Sequence, residues 1–550
     1  MTLTWRHYLG VALLTLLIFL PGRMSLVPLD RDEPRYMEAS AQMIESGNYV
    51  DVRFLDQPRY LQPAGIYWLE ATAERIAGGP HARHVAWPYR IPSLIAAISA
   101  VTLTAYLGAT LFGGVAGLLA AGFLAVSTLL TAEGRMATID TVLLLDILLV
   151  QTALLRAYMD EQRSRVTPLP VALLYWVALG CGLMLKGPVV LIPGLATPLA
   201  LRIIERQAGW FRRLRPSWGW LLTLAVVLPW CIAIGVVSHG EFFSRSVGTN
   251  FLGKIGHGQQ AHGLPPGFHI AVFLLAFWPG SLFLVLGLPA IWARHREPAI
   301  RFLLCWIVPH WLVFEAIATK LPHYVLPTYP AIAILTAATL TRWPLRRPNA
   351  LWAKGMMGLY GLLWGVLSLA FVVAGAILLW TSEHRLDYGA LIALAGALPL
   401  VLYTFWLMWR ADRFRAAWVM LSAAVVIHAG IFLTVIPNLG LLQLAPRAAA
   451  LYDDYRPCEN STLVSVSYSE PSLAFLAGSN TKLLGVGPAS EFLTTNAACA
   501  LVLVDRKDET ALHAAMETRG FGLTEYGRVN GLNYSNGHHL DLGLFAPVRQ

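Results

Sequence analysis

Apolar runs of bilayer length dominate the chain and leave little choice of fold. A hydrocarbon core roughly 30 Å thick needs about 20 consecutive apolar residues per helix. Such runs lie near 8–28, 89–112, 113–131, 137–158, 169–185, 187–204, 217–238, 267–293, 299–318, 323–341, 355–380, 388–409 and 415–436. Inside a bilayer every backbone amide and carbonyl must be bonded within the protein, so these runs read as helices, and a bundle of about thirteen spans is predicted. Composition agrees: 56% of the 550 residues are hydrophobic and 13% charged, which excludes an ordinary water-soluble enzyme.

The formal net charge of +9 raises nucleic acid as a partner, but the positions of the cations argue against it. Arg156/Arg163/Arg165, Arg202/Arg206/Arg212/Arg213/Arg215, Arg294/Arg296/Arg301, Arg342/Arg346/Arg347/Lys354 and Arg410/Arg413/Arg415 fall in every second loop. That is the asymmetry that orients spans with basic loops in the cytoplasm. A cytoplasmic N-terminus is predicted, with the first run serving as an uncleaved anchor rather than a signal peptide. Segments 29–88, 239–266 and everything after about 437 then face outward from the inner membrane.

The chain divides at this point into a membrane domain, 1–436, and an outer domain, 437–550. In the latter, strand-like runs at Thr462–Tyr468, Lys482–Val486 and Ala500–Val504 alternate with a helical stretch around Glu509–Arg519, the pattern of a small α/β domain. Cys458 and Cys499 are the two cysteines outside the apolar runs. An oxidising compartment would join them, and the alternative is a pair of buried thiols.

The first outer loop, 29–88, carries two amphipathic patterns, with Tyr36, Met37, Met43 and Ile44 in one and Ile66, Leu69, Ala73 and Ile76 in the other. Both read as helices lying at the membrane surface as a roof, with Trp68 and Trp87 as anchors. The loop opens Asp30-Arg31-Asp32-Glu33-Pro34-Arg35-Tyr36. Asp32 there reads either as an N-cap, with Glu33 favourable to the helix dipole, or as a general base beside the anion-binding groups Arg35 and Tyr36. The same topology brings further polar groups to the outer ends of spans. Asp140 is an intramembrane carboxylate, a functional candidate by default, with an internal hydrogen bond or salt bridge as the alternative. Lys186 stands in Lys186-Gly187-Pro188 between two runs, and Lys320, His323 and Tyr324 belong to Lys320-Leu321-Pro322-His323-Tyr324-Val325-Leu326-Pro327. Lys254 lies in the glycine-rich loop 239–266. For Lys186 the alternative is a lysine reaching the interface. Asp146, deeper in its run, reads as an internal hydrogen bond or salt bridge, and His310 and His428 as packing or helix-to-helix bonds. No spacing of metal ligands is apparent, and no cofactor is expected.

Together, D-E-P-R-Y after the first span, I-D-T in the fourth, L-K-G-P between the fifth and sixth and K-L-P-H-Y-V-L-P-x-Y-P at the tenth resemble the bacterial aminoarabinose transferase and protein O-mannosyltransferase group. The resemblance covers most of the chain. It implies the GT-C fold and an inverting glycosyltransferase that moves a sugar from a polyprenyl-phosphate carrier to lipid A, lipopolysaccharide, another envelope glycan or a protein at the outer face of the inner membrane. It assigns Asp32 as the catalytic aspartate of the first loop and Asp140 as the second aspartate of the cavity. Arg35 and Tyr36 follow as in the family pattern, and Lys186, Lys254 and Tyr324 would gather around the lipid phosphate. Glu470 would close the cavity from above. The aminoarabinose transferases carry Glu-Lys-Pro on the second stretch of the roof, whereas this chain reads Arg59-Tyr60-Leu61-Gln62-Pro63. Gln62 keeps a donor without the charge, so Arg59 or Lys254 would have to supply the cation.

A competing class is a transporter or flippase of lipid-linked sugars, which predicts charges near the bilayer midplane and no bond formation. The clustering of charged motifs at the outer ends of the runs favours an enzyme.

Overall fold

A computed structural model describes residues 2–29, 32–79, 83–206, 209–253, 264–343, 350–385 and 387–549. Among these, nine helices are long and apolar enough to cross a membrane: Ala86–Phe112, Ile139–Gln162, Leu169–Glu205, Pro216–Val237, Pro298–Ala316, Pro322–Thr341, Leu351–Glu383, Tyr388–Trp409 and Arg413–Asn438. A tenth would be the pair Phe268–Ala276 and Gly280–Trp292, bent by 118° at the intervening break. Trp5–Phe19 and Gly114–Ala125 are apolar but shorter.

Many apolar side chains of these helices point outward. Pro216–Val237 buries only Gly219, Trp230 and Ile234, and Leu351–Glu383 exposes Leu359, Leu362, Val366 and Ile377. Water would not accept such a surface, whereas acyl chains do. The chain is a multi-pass membrane protein.

Two glycines break long apolar runs. Gly113, at φ +91°, separates Ile91–Phe112 from Gly114–Ala125. Gly187, at φ +60°, opens a short 3₁₀ turn between Leu169–Lys186 and Leu191–Glu205. Positive φ is cheap for glycine alone, so each break stands where the sequence permits it.

The roof consists of Asp32–Ser46 and Gly65–Ala77. The second helix departs from the expected stripe: Ile66, Tyr67, Glu70, Ala71 and Glu74 are buried, while Leu69 and Ile76 are exposed. A helix at the membrane surface can turn apolar residues toward lipid and hold its carboxylates against protein partners. Glu70 accepts from Ser40 Oγ at 2.8 Å and Glu74 meets Arg83 at 3.1 Å. Trp68 donates to the Tyr49 carbonyl at 2.8 Å. Gly65 abuts the end of Leu169–Lys186 so closely that a Cβ would lie 2.6 Å from the Met184 carbonyl oxygen.

The C-terminal region forms a five-stranded mixed sheet in the order Lys482–Leu483, Thr462–Val466, Ala500–Asp505, His538–Arg549, Phe521–Asn533. The first three strands are parallel, and the last two form an antiparallel hairpin. Every residue of Ala500–Asp505 is buried, as a central strand covered on both faces requires. Cys458 and Cys499 are joined, Cα atoms 5.7 Å apart, beside the start of Thr462–Val466. Phe475 of helix Pro471–Ala477 inserts among Met37, Ala41 and Tyr89, seating this region on the roof.

Candidate active site

Asp32 and Glu33, neighbours in the first turn of the roof helix, diverge. Glu33 is buried and fully bonded: Arg90 reaches it with Nε at 2.7 Å and Nη2 at 3.0 Å, and it accepts the Ala137 amide at 2.8 Å and the Leu29 amide at 3.1 Å. One carboxylate thereby ties the roof to the Ala86–Phe112 span and to the turn before Ile139–Gln162. Asp32 is exposed and lines a polar chamber with Arg35, Tyr36 and Arg59. Buried charges that persist are paired and hydrogen-bonded. Glu33 meets that description as a structural group, leaving Asp32 as the carboxylate available to a ligand.

The opposite wall holds a four-member charge array. Lys186 Nζ lies 2.6 Å from Asp140 Oδ1. His323 stands between two carboxylates, Nδ1 3.2 Å from Glu133 Oε1 and Nε2 3.7 Å from Asp140 Oδ2. Thr138 Oγ1 donates to Glu133 Oε2 at 2.9 Å. The Lys186 ammonium also lies 5.6 Å from the Tyr324 ring centroid, and His310 Nε2 meets the Tyr324 carbonyl at 2.9 Å. Glu133, Asp140 and His323 are close enough together to be weighed as cation ligands. The two His323 nitrogens face different carboxylates, however, and Lys186 already occupies one side of Asp140. His323 thus bridges the two carboxylates, while one of its nitrogens and one oxygen from each carboxylate lie within 4.8 Å of one another.

On the roof side, Arg59 Nε donates to Tyr67 OH at 2.9 Å and its guanidinium lies 5.2 Å from the Tyr36 ring centroid. Gln62 Nε2 reaches the same Tyr67 oxygen at 3.3 Å. Burial pushes the Tyr36 phenol well above its ordinary pKa, and Tyr67 and the Asp32 carboxylate add to the shift.

A second chamber adjoins the first and is mainly apolar, with Leu143, Val189, Val247, Phe314, Ile317 and Pro327 in its walls. Leu61, Gln62, Asp140, Lys186, His323 and Tyr324 border both chambers. Ser246, from the helical stretch Ser244–Leu252, covers the apolar side and donates to the Leu61 carbonyl at 3.3 Å.

The structure thus brings together Asp32, Glu33, Arg35, Tyr36, Arg59, Gln62, Asp140, Lys186, His323 and Tyr324. Three candidates stand elsewhere. Tyr60 donates to Asp51 at 2.8 Å and packs on Phe242. Lys320 gives its ammonium to the carbonyls of Leu264 at 2.9 Å and Ile317 at 2.6 Å. Glu470 accepts from Asn533 Nδ2 at 3.0 Å within the C-terminal region and borders neither chamber. Lys254 lies outside the described residues. Sequence reasoning missed Arg90 and Glu133. The signal available for each was a charged residue at the edge of an apolar run. Asp146 is buried, but its Oδ2 has no hydrogen-bond partner among the described residues, so that atom does not make the internal bond expected of it.

Residues 62–232 match the family model described as dolichyl-phosphate-mannose-protein mannosyltransferase. The chain is 26% identical over 341 residues to an undecaprenyl phosphate-alpha-4-amino-4-deoxy-L-arabinose arabinosyl transferase of Pectobacterium carotovorum, a match covering 60% of this chain and 58% of that one. With the protein of the same description from Pseudomonas paraeruginosa, identity is 27% over 368 residues, covering 65% and 64%. The matches therefore span less than two thirds of the length of these relatives. The crystal structure of ArnT from Cupriavidus metallidurans bound to undecaprenyl phosphate superposes with a TM-score of 0.74 at 16% identity, covering 98% of this chain and 97% of that one. The fold is GT-C. In sequence the chain is similar to these aminoarabinose transferases over about three fifths of its length and to the protein mannosyltransferase model over residues 62–232.

Proposed function

We propose that this protein is an inverting glycosyltransferase that takes a sugar from a polyprenyl-phosphate carrier of the undecaprenyl type and delivers it to a cell-envelope acceptor, lipid A foremost, at the periplasmic face of the inner membrane. The observation that carries the reading is the junction of the two chambers at Lys186, Gln62 and Tyr324. A donor with a charged head and a long apolar tail needs a polar space continuous with an apolar one and a cation at the seam. The bent pair, the two shorter helices and a division of Leu169–Glu205 at Gly187 would bring the spans to thirteen. With that count, the roof and residues 437–550 would lie outside the cytoplasm, opposite the basic loops.

Departure of phosphate from an anomeric carbon builds positive charge on the sugar and negative charge on the leaving group. Preorganised cations facing that phosphate stabilise the transition state more than the ground state. Lys186, Arg35 and Arg59 take this role, Arg59 standing in for the lysine absent at Gln62. Asp140, Glu133 and His323 hold Lys186 in place. Asp32 accepts the proton of an acceptor hydroxyl, or positions an acceptor that is already a phosphate. One carboxylate and no covalent intermediate give inversion, as in one-step glycosidases. The clustering of these groups at one end of the bundle is what an enzyme rather than a flippase requires.

The test is mass spectrometry of lipid A, core oligosaccharide and outer-face glycoproteins from cells lacking the protein, complemented with wild type or Asp32→Asn. A sugar that disappears in the deletion and returns with wild type alone is the expected result. Identical glycans in all strains would defeat the proposal.

A further inference from the structure

A groove of about 550 Å³ lies between helices Leu191–Glu205 and Pro298–Ala316, at the opposite end of the bundle from the two chambers. Leu191–Glu205 begins near the Lys186 turn and ends at this groove, 15 residues on, a rise of roughly 22 Å. Ile204, Val308 and Trp292 line it with relative exposures of 59%, 47% and 72%. Ile204 and Val308 belong to helices of membrane-spanning length, and Trp292 ends the second half of the bent pair, so the slot opens onto the acyl region. Its rim is basic. Arg301 is fixed by an ion pair with Glu205 and a hydrogen bond to the Arg296 carbonyl. Arg296 itself is exposed and has no ion-pair partner among the described residues. The His295 ring stacks on Trp292 at 5.0 Å, shaping the mouth.

A small anion would leave the apolar slot unfilled, and a neutral lipid would bring nothing to the guanidinium. An amphiphile with an anionic head and an acyl tail satisfies both parts, and basic pockets between spans on the cytoplasmic side recognise such head groups. We propose that this groove binds an anionic phospholipid of the leaflet on the basic-loop side, its phosphate at Arg296 and Arg301 and one acyl chain between the two helices. Undecaprenyl phosphate shares that chemistry, but its proposed site is the pair of chambers about a helix length away. The lipid site stands whether or not the chain transfers sugar.

Native mass spectrometry of the purified full chain, titrated separately with phosphatidylglycerol, phosphatidylcholine and undecaprenyl phosphate, tests the assignment. Phosphatidylglycerol should be retained in preference to phosphatidylcholine, and Arg296→Gln should cut its retention about five-fold, the share of one basic residue near a membrane surface. Val308→Trp, which fills the slot and leaves the charges, should cut it as well, and Arg410→Gln on another basic loop should not. Equal retention of the two phospholipids would overturn the proposal. So would a loss with Arg410→Gln as large as with Arg296→Gln, or displacement of phosphatidylglycerol by an equal concentration of undecaprenyl phosphate. Arg296 is exposed, so its variant is expected to fold even if Val308→Trp is not.

Discussion

The two walls of the polar chamber are built on opposite principles. On the span side, Glu133, Asp140, His323 and Lys186 satisfy one another, so charge there is held in fixed places. On the roof side, Glu33 absorbs the structural demand through Arg90, and its neighbour Asp32 is left facing the space. A carboxylate whose oxygens are already taken by fixed partners has little room to receive a ligand. The proposed roles follow this difference, with Asp32 for chemistry and the opposite wall for positioning.

The sharpest way to break this contrast is to neutralise each carboxylate in turn. Asp32→Asn is expected to lower transfer from a polyprenyl-phosphate sugar roughly 10²–10⁴-fold, the usual worth of a general base, without lowering thermal stability in detergent. Glu33→Gln should do the reverse, unfolding the protein more easily by about 3–5 kcal/mol because Arg90 is left buried and unpaired. If the two variants exchange behaviours, the assignment of the roof carboxylates is wrong. Lys186→Met should reduce kcat/KM about 10²–10³-fold, the loss expected for one donor to a developing anion. An acceptor-side defect with the donor KM and kcat intact would remove it from the phosphate.

The smallest expected effect concerns how the roof holds the C-terminal α/β region. Glu38, on the face of the roof helix near Phe475, is fully buried, and burial pushes its pKa up to about 7 against the pull of His84 and Ser479. Burial alone would lower His84, but Glu45 and Glu38 outweigh it and leave its pKa raised. Both groups thus bind protons more tightly folded than unfolded. The Glu38 contribution is fully present below its unfolded value of 4.5 and is lost as pH climbs through about 7, while that of His84 is present below its unfolded value of 6.5 and is lost at higher pH. Hydrogen exchange at helix Pro471–Ala477, corrected for intrinsic rates, should be slower at about pH 6 than at about pH 8. Glu38→Gln should flatten the difference.

Much of this organisation is legible from the sequence, because bilayer thickness and loop charge are one-dimensional rules. The apolar runs, the roof and the change of character after 437 follow from them. What the sequence does not disclose is partner choice across distance. Glu33 looks like a helix-dipole residue until Arg90, 57 positions away, is seen to claim it. Lys320 looks like a ligand of the mouth until two backbone carbonyls take its ammonium. The family resemblance puts Glu470 over the cavity, yet it borders neither chamber and accepts from Asn533. The hairpin Phe521–Asn533 and His538–Arg549 had a local signal in Asn536-Gly537, a dipeptide suited to a tight turn.

The close approach of Gly65 to the Met184–Leu185 backbone sets a rule for engineering the molecule. Any residue with a side chain at 65 would pry the roof from the helix that ends at Lys186, so the two surfaces are a matched pair rather than separable modules. A chimaera that imports a relative's 29–88 segment to change donor preference should import the helix 169–186 with it. Graft boundaries drawn between them would cut through a steric lock.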